Sequence, residues 1–182
     1  GFGQHPNIIT NMMMERLAAP NGPTQGKIVR PSDEKEPASI AFVQCAGSRD
    51  ENHLPYCSAV CCSASLKQAL YFTGQDKKNR ADIYYIDLRV SGRNEDFLRK
   101  VEENDQIKLV KGKVVSATIE NGGPVIEAED IQSGSKVREA YDLVVLATGV
   151  VPEIPHAPEV DLDNDGFIAR ESLETGFSVG GC

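Results

Sequence analysis

The stretch Ile40-Ala41-Phe42-Val43-Gln44-Cys45-Ala46-Gly47-Ser48, continued by Cys57-Ser58-Ala59-Val60-Cys61-Cys62, decides the reading of this chain. Its first four residues form an unbroken apolar run, which reads as a buried strand. The residues from Ser58 to Phe72, with Cys57 at their edge, read as a helix. Strand, loop and helix open an α/β unit. Where such a unit usually carries a glycine-rich nucleotide loop, this chain presents thiols, and metal or electron-transfer chemistry is the first expectation.

Working outward, residues 20–37 contain Pro20, Gly22, Pro23, Gly26, Pro31 and Pro37 among polar residues, the composition of a connector. Before it, Ile8 to Leu17 can form an amphipathic helix with Met and Leu on one face. After Ile40–Val43, a second strand is expected over Ile83–Leu88 and a second helix over Glu95–Glu103, the alternation of a parallel sheet. From Ile107 the texture changes. Ile107–Val110, Lys113–Ile119, Val125–Ala128 and Lys136–Ala140 are short alternating segments, separated by Asn121-Gly122-Gly123 and Ser133-Gly134, as in a β-meander. Leu143-Val144-Val145-Leu146 then runs into Ala147-Thr148-Gly149. That is a buried strand ending in residues small enough for close approach of a neighbour or a cofactor.

The chain has 182 residues, of which 40% are hydrophobic, enough for one sizeable core. With 19 basic and 27 acidic residues the formal charge is −8, which argues against binding a phosphate backbone. No apolar run is long enough to span a bilayer, and no basic segment leads into an apolar one. The expectation is a cytoplasmic protein in a reducing compartment, with no direct membrane insertion and no nucleic-acid partner. Five cysteines fit metal or redox use better than a disulfide framework. The opening Gly1-Phe2-Gly3 and the closing Gly180-Gly181-Cys182 read as an internal stretch of a longer polypeptide.

The cysteine spacing is C-x11-C-x3-C-C. On a helix Cys57 and Cys61 lie on one face, a turn apart, with Cys62 roughly 100° round from Cys61. Cys45 completes the set from the loop. A helix N-terminus favours thiolate over thiol. Structural zinc usually takes two C-x2–4-C knuckles, which this spacing lacks, whereas a cubane iron–sulfur cluster tolerates irregular spacing. Zinc, thiol redox chemistry and unligated buried cysteines remain alternatives. Asp161-Leu162-Asp163-Asn164-Asp165-Gly166 imitates a calcium loop, but position 12 is Ser172 rather than Glu, so a solvated turn before a short strand Phe167–Ala169 is the expectation. His5, His53 and His156 are scattered and read as loop residues.

Three runs carry a family resemblance: Gly22-Pro23-Thr24-Gln25-Gly26-Lys27-Ile28-Val29-Arg30-Pro31-Ser32-Asp33, then Val43-Gln44-Cys45-Ala46-Gly47-Ser48-Arg49-Asp50-Glu51, then Pro55-Tyr56-Cys57-Ser58-Ala59-Val60-Cys61-Cys62. Together they resemble the flavin-bearing A component of heterodisulfide reductase and the related flavoprotein subunits of the quinone-interacting membrane-bound oxidoreductase complex of sulfate reducers. The resemblance implies a thioredoxin reductase-like α/β fold, in which a Rossmann-like domain interrupts an FAD domain. Residues 1–37 would be the end of the first FAD-domain segment and a linker. Residues 38–141 would be the inserted NAD(P)-binding-like domain with the cysteines, and residues 142–182 the return to the FAD domain. It further implies a [4Fe-4S] cluster on Cys45, Cys57, Cys61 and Cys62, and FAD in the full-length parent, lined by Ala147, Thr148, Gly149 and Gly181. Other electron-transfer subunits of a redox complex, membrane-bound or not, would be its partners. The segment alone is not expected to be an enzyme. The N-terminal G-x-G-x-x-G of the family is absent from this stretch, so tight FAD binding by it alone is not expected, and Gln44-Cys45-Ala46-Gly47-Ser48 stands in place of its counterpart after Val43, so nicotinamide binding is not expected either.

Overall fold

Apolar, β-branched runs become strands here wherever both of their faces can be covered. The computed structural model describes residues 1–90, 92–153 and 161–169. The chain divides into two units, Gly1–Gly149 and Val150–Cys182. In the first, seven strands form one sheet: β1 (Ile8–Thr10), β2 (Ser39–Val43), β3 (Arg80–Tyr85), β4 (Ile107–Glu120), β5 (Gly123–Asp130), β6 (Ser135–Ala140) and β7 (Leu143–Leu146). Their spatial order is β1-β7-β2-β3-β4-β5-β6. The first four neighbour pairs are parallel and the last two antiparallel. Three helices, α1 (Asn11–Ala18), α2 (Cys61–Thr73) and α3 (Glu95–Glu102), complete the described elements of this unit, with a single 3-10 turn at Gly92–Asn94.

Alternation along the central strands divides the core in two. Ile40, Phe42, Ile83, Leu143 and Val145 face one side and pack with Leu66, Ala69 and Phe72 of α2, Val101 of α3 and Met14 of α1. Ala41, Val43, Tyr84 and Val144 face the other, where Ile126 and Ala128 of the meander and Tyr141 cover them. Fully burying a side chain the size of Phe72 or Leu66 contributes about 1.5–3 kcal/mol.

Two polar clusters lock the ends of this stack. Asp142 accepts from the backbone N–H groups of Ala38 (2.8 Å) and Ser39 (3.1 Å) and from Arg30 Nη1 (3.0 Å), tying β7 to the start of β2 and to the connector. Asp82, 1% exposed, accepts from Tyr141 Oη at 2.7 Å, and the Tyr84 and Tyr141 hydroxyls meet at 2.7 Å. Arg80 lies over the Tyr141 ring and pairs with Glu139 at 2.6 Å. Burial pushes the Asp82 carboxyl above the usual carboxylate range, against the pull of Tyr141 and Arg80.

Four element boundaries differ from the sequence expectations. Ile8-Ile9-Thr10 is a strand paired with β7, and α1 begins only at Asn11, with the Thr10 hydroxyl accepting from Met13 N–H. The second strand ends at Tyr85 rather than Leu88. The segments Ile107–Val110 and Lys113–Ile119 are one 14-residue strand, β4, with an irregularity between Val114 and Ser116. At its Gly112 the neighbouring backbone approaches closely: a Cβ there would stand 2.1 Å from the Glu129 carbonyl oxygen. Finally, α2 starts at Cys61, not Ser58: Ala59 has φ +58°, which a right-handed helix cannot hold.

In the second unit, Leu162 and Ile168 form an antiparallel bridge around a turn in which Asp163 Oδ1 accepts from the N–H groups of Asp165 and Phe167. The expected turn before Phe167–Ala169 is what the structure shows.

Candidate metal and redox site

The site is built where β2 ends. Gln44 N–H donates to the Tyr84 carbonyl at 2.9 Å, and the chain then leaves the sheet through Cys45, held at φ +55°. Ala46 N–H donates to the Ala147 carbonyl (3.0 Å) and Ala147 N–H to that of Val43 (2.9 Å), fixing the loop to the end of β7. The loop folds on itself through Leu54 N–H to Gly47 O and Arg49 N–H to Tyr56 O, both 3.1 Å. Its return passes Cys57 and the Ala59 turn into α2.

This geometry corrects one inference from spacing. Cys57 precedes α2, so Cys57 and Cys61 do not share a helix face; Cys61 and Cys62 are the first two helical residues. The four thiols nevertheless come into one neighbourhood. Cys57 accepts from Ala59 N–H at 3.4 Å; the polar groups that act electrostatically on the other sulfurs are the Arg49 guanidinium at Cys45, Gly149 N–H at Cys61 and Arg89 N–H at Cys62. The Cys62 thiol also donates to the Asp87 carbonyl at 3.7 Å. Cys62 is buried and the other three are half-buried, all as free thiols.

Burial pushes the Cys61 and Cys62 thiols up, and the backbone N–H groups only partly offset this. Repulsion adds to it: Cys61 feels Cys62, Cys45 and Cys57, and Cys62 feels Cys45 and Cys57. Four thiols this close resist joint ionisation unless a cation lies among them. Among the described residues, no three His, Cys, Asp or Glu side chains stand in a metal-holding arrangement, so the sulfurs are neighbours without converging on a point.

The donor chemistry suits an iron–sulfur group. Thiolate ligands receiving N–H hydrogen bonds are what hold such clusters and set their potentials. The buried Gln44 amide, 6% exposed and without a hydrogen-bond partner, adds unspent polar valence next to Cys45. For a flavin, the fit is narrower. Ala147 is fully buried and Thr148 is exposed. Gly149, at φ +87°, has its side-chain space filled by the chain itself, since a Cβ would lie 3.0 Å from Ser58 Oγ and 3.2 Å from Leu54 Cδ2. Gly181 and Cys182 lie outside the described residues, as does His156. His5 is a loop residue whose Nδ1 accepts from Asn7 N–H at 3.1 Å, and His53 sits in the cysteine loop.

Sequence reasoning missed Arg49, Asp87 and Arg89 as parts of the site. Arg49 follows Cys45 closely in the chain, but only the folded loop, with Cys45 and Arg49 both at positive φ, carries its guanidinium to Asp87 at 2.9 Å. No signal in the sequence marks Asp87.

A parallel sheet with α-helices on one face and a β-meander on the other is a Rossmann-like α/β fold of the thioredoxin reductase-like kind. Thermoplasma acidophilum thioredoxin reductase superposes with TM-score 0.54 over 90% of this chain and 43% of that one, at 9% identity. L-lysine 6-monooxygenase from Pseudomonas syringae gives 0.53 over 90% and 46%, at 11% identity. No protein-family model matches. In sequence the chain is a relative of the A-type subunits of heterodisulfide reductase. It is 38% identical over 176 residues to one of these, an iron–sulfur subunit of the CoB–CoM heterodisulfide reductase of Methanopyrus kandleri, covering 92% of this chain and 27% of that one. It is 40% identical over 155 residues to the A-type subunit of the ferredoxin/F420H2-dependent CoB–CoM heterodisulfide reductase of Methanosarcina acetivorans, covering 84% and 19%. The chain thus spans between about a fifth and a quarter of the length of these curated relatives.

Proposed function

We propose that this chain is the cluster-bearing segment of a flavin- and iron–sulfur-containing electron-transfer subunit, working with other redox subunits in the cytoplasm. Cys45, Cys57, Cys61 and Cys62 are the ligands of a [4Fe-4S] cluster. Residues 38–141 form the inserted domain, residues 1–37 the preceding segment and linker, and residues 142–182 the return toward an FAD domain. The observation that carries this reading is the gathering of Cys45, Cys57, Cys61 and Cys62 on the loop after β2 and the first turn of α2, with Cys57 accepting from Ala59 N–H at 3.4 Å and Cys62 donating to the Asp87 carbonyl at 3.7 Å. When bound, such a cluster supplies one-electron transfer at a potential set by burial and hydrogen bonds to sulfur.

The chain's residues divide the work. The loop turn at Cys45, the Ala59 turn and the N-terminus of α2 present the thiols, and the first turn of α2 offsets part of the burial that raises Cys61 and Cys62. Burial of Cys62 keeps water from one side of the site. In this reading Ala147, Thr148, Gly149 and Gly181 line the FAD side.

Anaerobic reconstitution with iron and sulfide tests it. The expected product is brown, with broad absorption near ~400 nm and about four irons per chain. Cys61→Ser should lower iron sharply and Cys182→Ser should leave it unchanged, because a hydroxyl is a poorer iron ligand than a thiolate. Stoichiometric zinc without sulfide would overturn the reading in favour of a zinc-stabilised module. A Cys57–Cys61 or Cys57–Cys62 disulfide that cycles without metal would replace it with thiol–disulfide chemistry.

A further inference from the structure

Asparagine followed by glycine occurs twice in this chain, as Asn21-Gly22 and as Asn121-Gly122. The fold treats the two pairs in opposite ways. Asn21 is exposed, but Gly22 is locked: its N–H donates to the Ala19 carbonyl at 2.8 Å, and a Cβ on it would stand 2.1 Å from the Arg16 carbonyl oxygen. Asn121 and Gly122 are the loop of the β4–β5 hairpin, closed by the Glu120–Gly123 pair. Both are exposed, their φ angles are +50° and +81°, and nothing lies within 4 Å of the place that a Cβ on Gly122 would take. Consecutive positive φ angles are those of a type I′ turn, which favours Asn-Gly. Among the described residues, neither Gly122 N–H nor the Asn121 carboxamide has a hydrogen-bond partner.

We infer that Asn121 is a site of spontaneous covalent modification, deamidation to aspartate and isoaspartate, and that the fold spares Asn21. The Gly122 nitrogen attacks Asn121 Cγ. The new C–N bond closes a succinimide ring as the carboxamide C–N bond breaks, and the displaced nitrogen leaves as ammonia, carrying the proton from Gly122. Water then adds to one of the two imide carbonyls and opens the ring, so nothing is oxidised or reduced. Glycine is needed second, because a Cβ there would crowd the attacking nitrogen. At Gly122 that nitrogen is free and lies at the end of a hairpin, where only the Glu120–Gly123 pair has to fray for the attack. At Gly22 the attack must first break the bond to Ala19 and draw the residue away from the Arg16 carbonyl. The products differ in effect. Aspartate-glycine still suits the turn, whereas isoaspartate adds a carbon to the backbone of a two-residue loop and spoils the Glu120–Gly123 register.

The test ages the native protein in mildly alkaline buffer and follows both pairs by peptide mapping with mass spectrometry, alongside the same protein in urea. The inference expects Asn121 to convert about tenfold faster than Asn21 in the native protein, a barrier difference of about 1.4 kcal/mol, and the two rates to converge in urea. Isoaspartyl methyltransferase should label the native product at the Asn121 position. Equal native rates, a faster Asn21, or a native Asn121 that stays intact while both pairs convert in urea overturns the inference. So does a preference of about tenfold that persists in urea, because sequence rather than fold would then set it.

Discussion

Tyr141 Oη donates to Asp82 Oδ2 at 2.7 Å, joining the turn between β6 and β7 to the middle of β3 across 59 residues of sequence. Tyr84 Oη donates in turn to Tyr141 Oη at 2.7 Å, with the two rings edge to face at 6.4 Å. Tyr141→Phe removes a donor from a buried carboxyl and an acceptor from a buried hydroxyl. The expected loss is about 2–3 kcal/mol, seen in a thermal melt as a fall of about 5–10 °C. A loss under about 0.5 kcal/mol, the scale of a neutral surface change, would show that the network carries no stability.

The raised Asp82 carboxyl gives a pH signature. Because burial makes the folded state hold this proton more tightly than the unfolded state, the group favours folding at low pH. That contribution declines as pH rises from the unfolded value, about 3.9, through the raised folded one, and is flat above it. The difference in unfolding free energy between wild type and Asp82→Asn, measured by urea titration at several pH values, should therefore fall across that interval. A difference that grows with pH would mean that Arg80 and Tyr141 outweigh burial.

Gly149→Ala should be costly in two ways. The residue sits at φ +87°, and a Cβ would press on Ser58 Oγ, Leu54 Cδ2 and Ser48 Cβ at 3.0, 3.2 and 3.4 Å. The destabilisation should be about 1–3 kcal/mol. Displacing its N–H from Cys61 should also reduce the iron retained after reconstitution, which colorimetric assay would reveal. Full iron retention in a folded variant would remove Gly149 from the site.

The loop after β2 should not bind pyridine nucleotides. Ala46 N–H is committed to Ala147 and Leu54 N–H closes onto Gly47, so the loop is folded around its own chain. Calorimetric titration with NADH or NADPH should show no affinity tighter than about 1 mM, about −4 kcal/mol. Micromolar binding would restore a nicotinamide-dependent reading.

The alternation of β2, α2, β3, α3 and β4 and the final buried strand were legible because each is a patterned apolar run. What escaped was set by backbone conformations that a pattern does not encode. Ile8 and Ile9 match the apolar side of the helix that follows, yet they pair with Val144 and Val145, and Thr10 turns the chain into α1. The pattern ends one segment at Val110 and opens the next at Lys113; between them Gly112 lets β4 cross from one partner to the next. At the site, the spacing marked the four thiols, but the positive φ angles of Cys45, Arg49 and Ala59 decide which atoms meet. Those angles belong to the folded loop, and nothing in the residue types announces them.

The two outer strands of the sheet bear on whether it accepts a further strand. β1 offers only three residues to an incoming strand, and β6 carries Lys136, Arg138 and Glu139 along its short run. Short length and charge are the devices by which natural sheets refuse a further strand. Arg138 is held by Glu127 of β5 at 3.1 Å and by Glu120 of β4, so a fixed, paired charge stands beside the β6 edge.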